Sequence, residues 1–370
     1  MSAPNGARLH ISRESALWKW GRFVVPIVAL LVAVWLPTYF EEFRVNQFSR
    51  VLVFFVAAMS LNLLTGYNGQ ISLGHSAFFG LGAYTSAVLS ADHGWPLLAT
   101  IAPSLVIAFA VGMLCGVPAL RIKGTYLALV TLALGTVFPV LVKRFDSVTG
   151  GSRGIKAPKL RAPEATGLAD DQYRYYVVLV LAIIVFVISA NLVRSRIGRA
   201  LVAIRDNEIA AEVAGVNVAQ TKVLIFGLSA SMAALAGSMS ICIDNFASPD
   251  SYTVIRSIEY LAGITIGGAA SLLGPLIGGI YMTFAPEIFQ ARPALSTVFY
   301  GLALIILMYV MPTGLVGLVR RLLSRVVQLD PPALDAGALA TSPGTSARSV
   351  REDPTSVDSP TTSVLTKESE

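Results

Sequence analysis

Charge is scarce in this chain. Of its 370 residues only 14% are Asp, Glu, Lys or Arg while 54% are hydrophobic, and the mean hydropathy is +0.67. Soluble globular domains carry about a quarter charged residues, so an ordinary water-soluble fold is excluded. Histidine is scarcer still: His10, His75 and His93 are scattered and form neither a metal-ligand spacing nor a triad. The two cysteines, Cys115 and Cys242, lie inside apolar segments and make no disulfide framework or zinc pattern, so they read as small buried hydrophobes. A phosphate-cradling Gly-x-x-x-x-Gly-Lys-Ser/Thr loop is missing, as are the Gly-x-Ser-x-Gly elbow and the His-Glu-x-x-His helix. The chain therefore reads as non-enzymatic, with no ATPase site of its own.

What is present in quantity is apolar sequence in runs near the roughly 20 residues that a bilayer-spanning helix needs. Ten segments fit: 23–40, 50–66, 70–90, 96–118, 122–142, 174–193, 222–243, 255–269, 272–290 and 296–318. The predicted fold is an all-α polytopic membrane protein of about ten transmembrane or re-entrant helices. Its parts are a head over 1–22, a membrane domain over 23–320 and a tail over 321–370. The net charge of +6 sits at the ends of the apolar runs, as the positive-inside bias demands, and no basic-aromatic patch stands apart to suggest nucleic acid. The basic head (Arg8, Arg13, Lys19, Arg22) precedes a first run without a cleavage-site pattern, which is read as a retained span. Arg194, Arg196 and Arg199 close the sixth run and Arg320, Arg321 and Arg325 close the last, so both termini are expected in the cytoplasm. The loop 143–173 runs against this parity: it falls outside yet holds Lys143, Arg144, Arg153, Lys156, Lys159 and Arg161. From Gln328 onward Pro, Ser, Thr and charged residues replace periodic apolar positions, and the tail is expected to stay disordered.

Between the sixth and seventh runs lies a charged insert from Arg194 to Lys222. Asp206 or Asn207 is placed to cap a helix that continues through Glu208, Ala210, Ala211 and Glu212 and ends near Gly215. Ile204, Ile209, Val213 and Val216 give this insert an apolar stripe at helical spacing. A half-polar helix at about 204–216, clamped between two spans, suits a coupling helix that takes force from a soluble partner; the bland alternative is a solvated loop that happens to be helical.

Two Gly-rich breaks stand out. Asn62, Asn68, Gln70, Ser72 and His75 lie at the first, and amide or ionisable groups at membrane depth often line a pathway, although Ser and Thr also bond back to their own helix. Gly267, Gly268, Gly274 and Pro275 form the second, a candidate hinge between two short apolar segments that either cross or re-enter. The breaks echo one another weakly (Gly66 to Gly74 ahead of Tyr84, Gly267 to Gly274 ahead of Tyr281), as paired interrupted spans of an inverted repeat would. Three Gly-x-x-x-Gly pairs, Gly112/Gly116, Gly263/Gly267 and Gly274/Gly278, favour close helix packing inside the subunit over a dimer seam. Glu259 reads as an interfacial ion pair with Arg256, leaving no clear proton relay for a secondary carrier.

Taken together, the run from Asn62 to Tyr84, the Thr149–Gly154 loop, the Asp206–Gly215 segment, the Gly267–Pro275 break and the Pro312–Gly317 turn resemble the permease subunits of ABC importers for branched-chain amino acids. The resemblance covers about Val51 to Gly317. Ala270 stands where that family usually has Gly, and Met311 where an Arg is common. The resemblance implies two cytoplasmic ABC ATPase subunits that use ATP and Mg, a second related permease, an external substrate-binding protein, and the plasma (cytoplasmic) membrane of a prokaryote. It implies no cofactor bound by this chain, and alternating access in which Asp206, Glu208, Ala210, Ala211, Glu212 and Gly215 couple to the ATPases. Permeases for urea or short amides share most of these motifs. A channel or secondary carrier for a small neutral solute is the rival from another class.

Overall fold

The structure is a computed structural model that describes residues 9–11, 28, 30–121, 125–288, 301, 305, 314–318, 321 and 327–329. The expected head 1–22, span 296–318 and tail 321–370 lie outside these residues except for short pieces, as does Met311. Two of those pieces, Leu9–Ile11 (β1) and Val327–Leu329 (β4), pair in parallel.

Helices dominate. In chain order they are α1 (Leu30–Tyr39), α2 (Glu42–Leu61), α3 (His75–Ala91), α4 (Leu97–Arg121), α5 (Thr125–Arg144), the single turn α6 (Asp146–Thr149), α7 (Asp170–Arg194), α8 (Arg196–Asp206), α9 (Glu208–Val213), α10 (Val218–Asp244), α11 (Val254–Gly267) and α12 (Gly274–Ile288). Among the described residues five helices are long and apolar enough to cross a bilayer: α2 with the π-helical turn Asn62–Tyr67 that continues it, α4, α5, α7 and α10. The expected third crossing is the 17-residue α3, and the eighth and ninth are the 14-residue α11 and 15-residue α12, all short of that length. The count of ten goes beyond what the described helices establish.

α10 is the axis of the bundle. It packs against α4, α3 and α2, while α12 and α11 close on α2. Its buried residues include many small ones, Gly227, Ser229, Ala230, Ala233, Ala234, Gly237 and Ser238, that let neighbouring backbones come close. Gly112 and Gly116 of α4 face Ala230, Gly227 and Val223 of α10, and Gly263 and Gly267 of α11 face Gly278 and Gly274 of α12. Each of the three Gly-x-x-x-Gly pairs is thus used within the subunit, because a Cβ at these positions would strike a facing backbone or side chain.

The α11–α12 segment is a hairpin. Its two outer ends lie at the end of the bundle where α10 finishes: Arg256 and Glu287 line one space together with Asp244, and Gln47 of α2 donates to Glu287 at 2.8 Å. Its tip, 268–273, reaches the π-turn of α2. At about 1.5 Å per residue α11 is about 20 Å long, too short to span, and the described part of α12 is of similar length.

The basic loop 143–173 shares that end of the molecule. Ile155–Lys156 (β2) pairs antiparallel with Phe246–Ala247 (β3), directly after α10, and Lys143 bonds Asp250 at 2.7 Å. The loop therefore lies at the end of α10 opposite to α8 and α9, as the sequence parity requires.

Candidate functional site

Two clusters of polar side chains lie at the two ends of α10. The first surrounds α8 and α9. Ser195 caps α8, its Oγ accepting from the amides of Ile197 and Gly198. Asn207, extended at φ −158°, ends α8 and caps α9, its Oδ1 accepting from the Ala210 amide at 3.0 Å. Asp206 instead ends α8, where it pairs with Arg205. After Val213 the chain turns at Gly215, whose φ of +86° is the left-handed region that glycine adopts without strain. The predicted helix is therefore two helices meeting at Asn207.

Glu208 is fixed by Lys222 at the start of α10: Oε1 and Nζ are 2.8 Å apart, and the Lys222 side chain is buried. Ala211 packs inward, Ala210 and Glu212 face out, and Ile209 and Val213 are 71% and 86% exposed. Of the predicted stripe, Ile204 is buried while Ile209 and Val213 form an apolar surface that nothing among the described residues covers.

Arg205 connects this segment to the first Gly-rich break. Its Nη1 donates to the Gly66 carbonyl at 3.0 Å, and its stem lies against Gly69, which sits at φ +74°. From the same π-turn Asn62 clamps the hairpin tip: its Oδ1 accepts from the Ala270 amide at 2.9 Å and its Nδ2 donates to the Ser271 carbonyl at 2.8 Å. The two Gly-rich breaks that echo one another in sequence therefore touch in space. Gly314 packs on Gly268, so the candidate hinge residues Gly267, Gly268, Gly274 and Pro275 form a tight tip held on two sides.

The remaining pathway candidates divide. His75 is fully buried, with Ser72 at 3.2 Å from Nδ1 and Ser229 at 2.8 Å from Nε2, and the Ser229 hydroxyl donates to the Ser60 carbonyl at 2.6 Å. Asn62, Ser72 and His75 are thus committed to protein partners. Asn68 and Gln70 differ: both are buried, and both side-chain polar atoms of Asn68 and the Oε1 of Gln70 have no protein partner.

The second cluster lies at the far end of α10, about 40 Å away along its 27 residues. A cavity of about 350 Å³ opens there, lined by Arg50, Phe54, Asp244, Tyr252, Arg256 and Tyr260 among others. Arg50 pairs with Asp244 at 2.8 Å, and Arg256 pairs with Glu259 at 2.8 Å while lying over the Phe54 ring at 5.7 Å. Burial, above all, pushes the Tyr252 phenol up, so it stays neutral. The sequence pattern passes over Arg50 and Asp244 because Arg50 opens the expected span 50–66 and Asp244 falls just past the expected span 222–243. Helix α2 begins eight residues earlier, at Glu42, which places Arg50 two turns inside it.

Five membrane-length helices, packed on an axis rich in Gly, Ala and Ser, mark a multi-pass membrane protein. The chain belongs to the family described as branched-chain amino acid transport system / permease component, which matches residues 43–308. It is 29% identical to the high-affinity branched-chain amino acid transport system permease protein LivM of Escherichia coli, across 80% of this chain and 75% of that protein. It is 27% identical to LivH of the same system and organism, across 75% of this chain and 96% of LivH. A ribose import permease protein, RbsC of E. coli, is 25% identical across 70% of this chain and 83% of its own length.

Proposed function

We propose that this chain is the membrane-spanning permease subunit of an ATP-driven importer for leucine, isoleucine and valine. The observation that carries the coupling part is the α8–α9 pair: a capped helix, tied to α10 by Glu208–Lys222, presents Ile209 and Val213 with no cover. An exposed apolar pair beside carboxylates suits a soluble partner that presses on it repeatedly. In this reading two cytoplasmic ATPases bind Mg and ATP, dock on α9 and move it. Lys222 passes that motion to α10, and Arg205 passes it to the π-turn and the hairpin tip. A second related permease completes the membrane unit and an external binding protein supplies solute. The α8–α9 end and both termini then face the cytoplasm of a prokaryote, and this chain itself binds no cofactor. The amino-acid assignment is supported by the family and by the LivM and LivH relatives, whereas RbsC marks how far solutes diverge at similar identity.

The experiment is uptake of labelled leucine and of urea into proteoliposomes holding the full complex and binding protein, with and without ATP. Leucine uptake that requires ATP is expected, and it should vanish in the Glu208→Lys, Glu212→Lys double variant. ATP-driven urea uptake would keep the mechanism and replace the solute. Uptake indifferent to ATP would return the chain to the channel class.

A further inference from the structure

The cavity at the far end of α10 combines both signs of charge, an apolar wall and a buried hydroxyl without a partner. We propose that it is a binding site for a zwitterionic aliphatic amino acid, with the α-carboxylate on Arg50 and the α-ammonium on Asp244. This rests on the amino-acid reading above and names the residues that recognise the solute. The volume of about 350 Å³ is at the small end of the roughly 300–1,000 Å³ typical of small-molecule sites.

Arg50 and Asp244 hold each other at 2.8 Å with side chains 56% and 42% exposed, and so open a pair contributes little to stability. A zwitterion that enters between them exchanges one ion pair for two and leaves no charge unmatched. A lone cation or anion would strand one partner, and a neutral polar solute would gain nothing from either. Val53, Phe54 and Ile243 supply the apolar wall for the side chain. Tyr260 lines the same space, is only 1% exposed, and its hydroxyl has no hydrogen-bond partner. A carboxylate seated on Arg50 gives that hydroxyl an acceptor. A second space, toward α12, is also lined by Arg50, Phe54 and Asp244, so the charged pair borders both.

The test is equilibrium binding of labelled leucine to the complete permease–ATPase complex in lipid nanodiscs, without binding protein. Leucinamide, which lacks the carboxylate, and 4-methylpentanoate, which lacks the ammonium, serve as competitors. In the unaltered complex each should compete about tenfold or more less well than leucine, because each forfeits a charge-assisted contact. Asp244→Asn should relax discrimination against 4-methylpentanoate alone, and Arg50→Gln against leucinamide alone; Tyr260→Phe should weaken leucine several-fold. Crossed selectivity of this kind cannot arise from misfolding. Equal competition by both analogues in the unaltered complex, variants that shift both analogues alike, or no saturable leucine binding in the millimolar range would overturn the site. If that happens while ATP-driven leucine uptake persists, the importer reading survives and only the site is lost. If the complex transports another solute and not leucine, both fall.

Discussion

Helices α7 and α10 are both 25 residues or longer, and each carries one buried cation in its first turns (Arg174, Lys222), yet they use their apolar sequence in opposite ways. α7 is the most apolar of the five long helices, and 28% of its apolar stretch is buried; α10 is among the least apolar, and 78% is buried. In water the order would be reversed. In a bilayer, lipid is as apolar as any side chain, so hydropathy marks the helix that faces lipid, and the core is built from small and hydroxyl-bearing residues that pack and hydrogen-bond. α10 meets α3 and α4 through Gly, Ala and Ser, and its Ser229 and Ser238 bond across helices to His75 and Ser86. α7 turns Val180, Ile184, Val187 and Ile188 outward, each about half exposed.

The contrast breaks most sharply at Gly237, where an added Cβ would meet the Phe79 backbone of α3. Gly237→Val should cost about 3 kcal/mol or more, read as loss of monodisperse protein in detergent, whereas Ile188→Ala on α7 should change thermal stability little. Next in size is Ser229→Ala, which strips His75 Nε2 of its partner. A loss of about 1–3 kcal/mol is expected, while Thr136→Ala, at an exposed position of α5, should be near neutral in the same melt.

Glu208→Gln leaves the buried Lys222 ammonium with a neutral partner and should cost about 1–2 kcal/mol. Its larger signature should be lowered uptake per ATP hydrolysed, measured on the same proteoliposomes, and unchanged stoichiometry would remove Lys222 from the transmission route. The smallest effect runs the other way. Ala270 sits at φ +57°, a left-handed backbone that costs a non-glycine residue about 1–2 kcal/mol, so Ala270→Gly should raise the melting temperature by the equivalent of about 1 kcal/mol. That also explains physically why Gly is the expected residue there.

Most helices could be read from the chain because membrane length and apolar runs are local properties. The α9 cap at Asn207 and the turn at Gly215 were legible for the same reason: capping side chains and positive φ act within a few residues. The break at Asn207 was less visible, since Arg205 and Asp206 continue a good helical pattern until one residue becomes extended. The polar candidates Asn62, Asn68, Gln70, Ser72 and His75 were identified as buried polar groups, but no spacing rule separates Asn62, with both amide atoms bonded, from Asn68, with neither.

The sequence alone determined that the chain enters a membrane, where its long apolar segments lie and which short insert is capped and charged, because hydropathy, helix propensity and capping depend on neighbours along the chain. Only the tertiary structure decided that α10 is the axis, that the two Gly-rich breaks meet through Asn62, and that Arg50 and Asp244 share a cavity. Those pairings join residues some 190 to 210 positions apart, and they follow from which helix faces interlock, a choice that many alternative arrangements of the same apolar segments would satisfy equally well on hydropathy alone.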